Sequence, residues 1–148
     1  MTKSQRLQPL VKVAESNEQK AAKVMAEAVA LLNQHRNRLE SLRQYRDDYV
    51  RRFAEAGAAG MPASQLIDYR AFISRLDNAI RDQEKIIDQH VQVVEDKKRV
   101  WLLTRSRTQS IDKAVDRFRR QEQRASDKRE QRELDDGATR NSDKKNTL

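Results

Sequence analysis

Apolar side chains recur at alternating intervals of three and four residues along two long segments of this chain. In the first segment, twelve of the fifteen such positions from Leu7 to Ala56 are apolar or aromatic, and in the second the spacing runs without a slip over eighteen positions from Leu66 to Ala125. Such a heptad repeat is typical of helices that wind around one another in a left-handed coiled coil. The sequence therefore predicts an all-α fold.

Residues that turn the chain are scarce. The chain has 3 Gly and 2 Pro, where average usage would give about 18 in a chain of this length. Only Gly57 to Pro62 combines glycines that permit a left-handed helix stop with a proline that suits a new first turn. Because Pro9 is expected only near a helix start, the boundaries are predicted as a helix over about 8–56, a turn over 57–63 and a helix over about 64–136.

A single short connection makes two helices antiparallel neighbours. With the turn centred near residue 60, residue i is predicted to lie opposite residue 120 minus i, so the second helix should overhang the first and lack a partner in the chain beyond about residue 115. Gly137 offers a stop, which makes residues 1–137 one coiled-coil hairpin. The small, polar and charged segment 138–148 is predicted to be a disordered tail.

Several chemical functions find no support in the sequence. The chain lacks Cys, its glycines form no phosphate-binding loop, and its two histidines have no ligand set at metal spacing. We therefore expect no catalytic residues, no metal and no cofactor. His35, Gln83 and His90 fall within the seam instead, where a polar layer can fix the register of a coiled coil.

The net charge of +8 raises the question of an anionic partner. The segment 117–132 is rich in Arg and Lys, but acidic residues interleave with them at helical spacings. We interpret it as a solvated helix face, with contact to an acidic protein surface or to nucleic acid as alternatives. No run approaches the roughly 18 apolar residues of a membrane-spanning helix, so we expect a soluble, intracellular protein.

A second apolar column runs beside the seam, at the g positions of both helices. In an antiparallel hairpin these positions face one another along one side; we call this side the apolar flank. Self-association or a thicker core would explain it, but apolar surface beyond the seam favours a dedicated protein partner. Its apolar members are Leu10, Val24, Leu31, Tyr45, Phe72, Ala79, Ile86, Val93 and Val100.

A combined pattern is formed by the run from Ile67 to Ile80, by Trp101 and by the late run from Asp127 to Gln131, together with the chain length and the position of the turn. By this pattern the sequence resembles the FliJ family of bacterial flagellar export proteins. The resemblance covers nearly the whole chain. Arg38 and Gln83 depart from the family pattern, so no role is assigned to either.

The resemblance implies a non-enzymatic coiled-coil component of the flagellar type III secretion apparatus, cytoplasmic and peripheral on the inner membrane. The expected partners are the hexameric export ATPase at the end bearing the two termini, the membrane-embedded export gate near the turn, and export chaperones; nucleic acid is not expected, and the membrane only indirectly. Residues implied to face the gate are Leu42, Tyr45, Tyr49, Phe72, Leu76 and Ala79. Partner contacts on the apolar flank are also expected at Leu31, Ile86, Val93 and Val100.

Two other classes of protein remain compatible with the sequence. A basic hairpin that binds nucleic acid would show strongly salt-dependent affinity for RNA. A holdase subunit similar to prefoldin would require partner subunits.

Overall fold

The computed structural model describes residues 1–147 as two long helices, α1 (Lys3–Ala58) and α2 (Ala63–Asn146). Within this described range there is no strand, which confirms the all-α prediction. The fifteen heptad positions of α1 are all buried or half-buried, as are those of α2 apart from Lys97 and Ala125. The heptad repeat thus marks the side on which each helix packs.

Helix α1 begins earlier than the predicted residue 8. Thr2 caps it, because the Thr2 amide donates to Gln5 Oε1 at 3.1 Å while the Gln5 amide donates to Thr2 Oγ1 at 3.3 Å. This reciprocal capping box satisfies two amides that would otherwise lack partners. Pro9 consequently lies inside the helix, and the prediction that it marks the helix start was wrong.

The turn lies within the predicted segment 57–63. Gly60 has φ of 87°, a left-handed conformation that suits glycine because it has no Cβ. The Gly60 amide donates to the Gly57 carbonyl at 3.3 Å. The Pro62 carbonyl then accepts from the amides of Gln65 and Leu66 at 3.1 and 3.2 Å, which starts α2 at Ala63.

Helix α2 does not stop at Gly137. It continues to Asn146, so residues 138–146 are helical where a disordered tail was predicted; Leu148 lies outside the described residues. A glycine inside a helix costs only about 1 kcal/mol, and no proline follows Gly137. The Thr139 hydroxyl donates to the Asp135 carbonyl at 2.9 Å across this glycine.

The structure comprises two compact units. We call Lys20–Leu102 the central unit, and Met1–Gln19 together with the chain from Leu103 onward the terminal unit. In the central unit, Leu32, Leu39, Leu76 and Ile80 are buried in the seam. The helices are antiparallel there, with Tyr49 against Tyr69 and His35 against Gln83; both pairs lie two positions from the predicted register.

In the terminal unit, Ala14 and Val115 are buried between the helices. The pairing also extends further along α2 than predicted, because α1 begins at Lys3 and brings Ser4 to Glu122. The Ser4 amide and hydroxyl donate to the two Glu122 carboxylate oxygens at 3.0 and 2.6 Å. The prediction that α2 has no partner beyond residue 115 was therefore wrong; it is from Asp127 onward that every described residue is exposed.

Candidate partner-binding surface

Five of the seven aromatic side chains in this protein gather in the central unit, close to the turn. Tyr49 lies at the centre, with its ring centroid 4.4 Å from that of Phe72 and 5.0 Å from that of Tyr69. Tyr45 meets the edge of Phe72 at 6.1 Å, and Phe53 lies 5.8 Å from Tyr69. We call this group the aromatic cluster.

The heptad positions explain how the aromatic cluster is layered. Tyr49, Phe53 and Tyr69 occupy seam positions and are half-buried. Tyr45 lies on the apolar flank and is 49% exposed; Phe72, also on that flank, is half-buried. Because edge-to-face contact holds the Tyr45 ring against Phe72, the cluster presents an ordered aromatic surface to solvent.

The six residues implied to face the export gate divide by depth. Tyr45, Tyr49 and Phe72 are in mutual ring contact. Leu42 and Ala79 are half-buried, whereas Leu76 is only 7% exposed and belongs to the core. Tyr45 and Phe72 are therefore accessible to a partner, whereas Leu76 is buried in the seam.

Phe53 and Tyr69 also belong to the aromatic cluster, although neither was singled out from the sequence as a site residue. Both stand on the heptad ladders, Phe53 in α1 and Tyr69 in α2. Each lies close to the predicted antiparallel partner of the other. Pairing the aromatic residues of the two helices in the predicted register would have identified Phe53 and Tyr69 as members of the cluster.

Beyond the aromatic cluster, the apolar flank of the central unit remains open to solvent. Leu31 is 42%, Val93 40% and Val100 51% exposed, and Ile86 is half-buried. Val24 on the same flank is 43% exposed. These aliphatic side chains recur every seven residues on each helix. On α2 they form a row that continues from the aromatic cluster, whereas on α1 the exposed Arg38 separates Leu31 from Tyr45.

The opposite flank of the central unit is bridged by ion pairs. Arg46 bonds to Asp77, and Arg43 lies 3.4 Å from Glu84. The Asp77 carboxylate, by hydrogen bond and charge, raises the pKa of the Arg46 guanidinium. One side of the central unit thus carries ion pairs between the helices, and the other carries the apolar flank.

A polar layer interrupts the seam of the central unit at His35. Its ring stacks on His90 with centroids 4.3 Å apart, and the Gln83 amide nitrogen lies 3.1 Å from both His35 Nδ1 and the His35 carbonyl oxygen. Burial, followed by the neighbouring His90 and Arg38, lowers the pKa of His35. No group of three or more potential metal ligands occurs within residues 1–147.

The terminal unit carries two shallow grooves on either side of Phe118. One, of about 300 Å³, includes Thr2, Lys3 and Glu122; the other, of about 220 Å³, includes Arg6 and Leu7. Lys3 lies over the Phe118 ring, with Nζ 5.5 Å from the centroid. An apolar ring between basic side chains suits an apolar group that carries negative charge.

Neither helix, over the residues described, contains a stretch apolar and long enough to span a bilayer. Two long antiparallel helices with an open apolar flank define an α-helical coiled-coil hairpin protein. The family model described as Flagellar FliJ protein matches residues 2–147, and the chain belongs to this family. It is a component of flagellar protein export. Neither the curated proteins nor the solved structures yield a match.

Proposed function

We propose that this protein is a non-enzymatic coupling component that binds both the hexameric export ATPase and the export gate. Membership of the flagellar export family supports a role at the export apparatus. The observation that carries the proposal is the open aromatic and aliphatic flank of the central unit. In this proposal the protein resides in the cytoplasm, peripheral to the inner membrane, and also handles export chaperones.

The gate is proposed to bind the aromatic cluster and the row that continues from it. Interface hot spots are enriched in aromatic residues held in ordered surroundings, and Tyr45 combines 49% exposure with a ring contact to Phe72. Leu42, Tyr49, Leu76 and Ala79 support this surface from below or beside it. Leu31, Ile86, Val93 and Val100 would extend the contact.

The ATPase is proposed to bind the terminal unit. Support comes from the Phe118 grooves, where an apolar ring is flanked by Lys3 and Arg6. The test adds the purified protein to the cognate ATPase and measures hexamer formation and ATP turnover. An increase in both is expected; no change in either would refute this half of the proposal.

The gate half is tested with Tyr45→Ala and with the paired variant Leu31→Ala/Val93→Ala. These side chains are exposed, so removing them should alter stability by less than about 1 kcal/mol while weakening binding to the purified cytoplasmic domain of the gate at least about five-fold. Binding can be measured by titration calorimetry. Leu76→Ala is a poor choice because Leu76 is buried, and its loss should cost about 2–5 kcal/mol of stability.

Matched controls lie in the same unit but off the apolar flank. Ile67→Ala removes a side chain that is 67% exposed, and Leu102→Ala removes one that is 45% exposed. Both are expected to bind the gate like the wild type. If Tyr45→Ala bound with wild-type affinity, or if the controls lost as much, the flank would not be the gate-binding surface.

A further inference from the structure

Five basic side chains stand on one side of α2 in the terminal unit. They are spaced four, three, four and four residues apart, which places them on one face of a helix. All five are exposed, and they lie opposite the seam side that carries Val115 and Glu122. We call them the basic stripe: Lys113, Arg117, Arg120, Arg124 and Lys128.

The acidic residues between Lys113 and Lys128 lie beside the basic stripe or opposite it. Glu122 points into the seam toward Ser4. Asp116 and Asp127 lie to one side of the stripe. Viewed along the helix axis, with a rotation of about 100° per residue, they are about 80° and 60° from its centre. Before Lys113, the same face of α2 carries Ser106 and Ser110.

Within residues 1–147 no side chain of the basic stripe forms an ion pair, and Arg117 lies over the Phe118 ring with Cζ 6.0 Å from the centroid. The ion pairs of the described residues include Arg43–Glu84 and Arg99–Asp96, which lie in the central unit. The five stripe residues span 15 positions, or about 22 Å of helix at 1.5 Å per residue. The stripe is therefore a line of exposed positive side chains, with Asp116 and Asp127 beside it.

We propose that the basic stripe binds the anionic headgroup surface of a lipid bilayer, so that the protein contacts the membrane directly as well as through its partners. Each Lys or Arg near an anionic bilayer is attracted without any requirement for register, because the lipids rearrange beneath it. A flat surface meets all five side chains at once. The proposal is independent of the gate-binding flank.

Other anionic partners fit the basic stripe less well. A partner helix would bury no apolar residue along the stripe, and exposed ion pairs alone contribute little to the free energy of binding. Single-stranded nucleic acid is usually bound with aromatic side chains that stack on bases, and the stripe has none. A nucleic-acid duplex curves its phosphates away from a straight line, whereas a bilayer does not.

The test is co-sedimentation of the full chain with vesicles. Phosphatidylcholine vesicles with about 30% phosphatidylglycerol are compared with pure phosphatidylcholine vesicles, at low salt and at 0.5 M NaCl. Binding to the anionic vesicles alone is expected, and it should be lost at high salt because the Debye length shrinks to a few ångströms. Equal binding to neutral vesicles, or to neither, would overturn the proposal.

Two charge-matched variants separate the stripe from the overall charge of the segment. Arg120→Gln/Arg124→Gln removes two stripe charges, and binding should weaken about thirty-fold because each basic residue contributes about a factor of five to six. Arg119→Gln/Arg129→Gln removes two charges from the other side of the same helix and should retain most of the binding. Equal losses in both variants would assign the effect to net charge and refute the stripe.

A fluorescence anisotropy titration with labelled duplex and single-stranded DNA completes the test. Weak binding, equal in the two variants, is expected. If the stripe variant lost DNA affinity while vesicle binding was unchanged, the stripe would be a nucleic-acid surface and the membrane proposal would fail.

Discussion

At the scale of single residues, His35 makes the stability of the central unit sensitive to pH. Burial and the neighbouring His90 and Arg38 lower its pKa below the ordinary 6.5. The unfolded chain therefore takes up a proton at His35 before the folded chain does, so stability is complete above about pH 6.5 and declines as the pH falls below it. The thermal midpoint is expected to drop between pH 7.5 and 5.5.

The matched variant for this prediction is His35→Leu. Leucine fits the seam between Leu32 and Leu39, and Gln83 keeps its bond to the backbone carbonyl of residue 35, which the substitution leaves in place. The thermal midpoint of this variant should vary less with pH over the same interval. A wild-type midpoint that is constant from pH 7.5 to 5.5 would contradict the prediction.

Glu122 makes stability depend on pH in the same direction as His35, but at lower pH. Hydrogen bonds from the Ser4 hydroxyl and amide lower its pKa from the ordinary 4.5, so the stabilisation is present above that value and is lost as the pH falls through the lowered one. At neutral pH, Glu122→Ala should speed hydrogen exchange several-fold at the amides of residues 4–8. Glu133→Ala, on the exposed part of α2, is the control and should leave these amides unchanged.

At the scale of elements, the turn places opposite demands on two glycines. Gly57 lies within α1, and a Cβ atom added there would meet no other atom within 4 Å. Gly60 has φ of 87°, which disfavours any residue with a Cβ. Gly57→Ala should therefore raise the free energy of unfolding by about 0.5–1 kcal/mol, and Gly60→Ala should lower it by about 1–2 kcal/mol. Urea denaturation of both variants checks this; the same sign for the two would contradict it.

The heptad repeat predicted which side of each helix packs, because the seam alone decides that side. It could not locate the helix ends, since these depend on single local contacts. Thr2 and Gln5 form a capping box that starts α1 at Lys3, which leaves Pro9 inside the helix. Helix α2 continues through Gly137 to Asn146. For the candidate site, the g positions identified Tyr45 and Phe72, but the depth of Leu76 required the packed structure.

At the scale of the whole molecule, the protein buries little of its surface. The accessible area is 11737 Å² for 17.3 kDa, against about 7800 Å² for a typical folded monomer of this mass. Within the described residues no large side chain falls below 2% exposure. The stability of the fold rests on a thin seam.

This large accessible surface predicts a small change in heat capacity on unfolding. Exposure of apolar surface sets that quantity, which is about 12–15 cal/mol/K per residue in ordinary globular proteins. Because less apolar surface is newly exposed here, scanning calorimetry should give a value below about 12 cal/mol/K per residue. A value within or above the ordinary range would mean that the helices bury more than the seam, for instance by association of the apolar flanks of two copies.

The aromatic cluster has an optical consequence. The chain has 3 tyrosines, and Tyr45, Tyr49 and Tyr69 all belong to the cluster, whereas the single tryptophan, Trp101, does not. Any change in tyrosine absorbance, in tyrosine circular dichroism in the near ultraviolet or in tyrosine emission therefore originates in the aromatic cluster. The unlabelled wild-type protein carries a built-in reporter of whether that surface is occupied, and the indole of Trp101 supplies an internal reference at a second location.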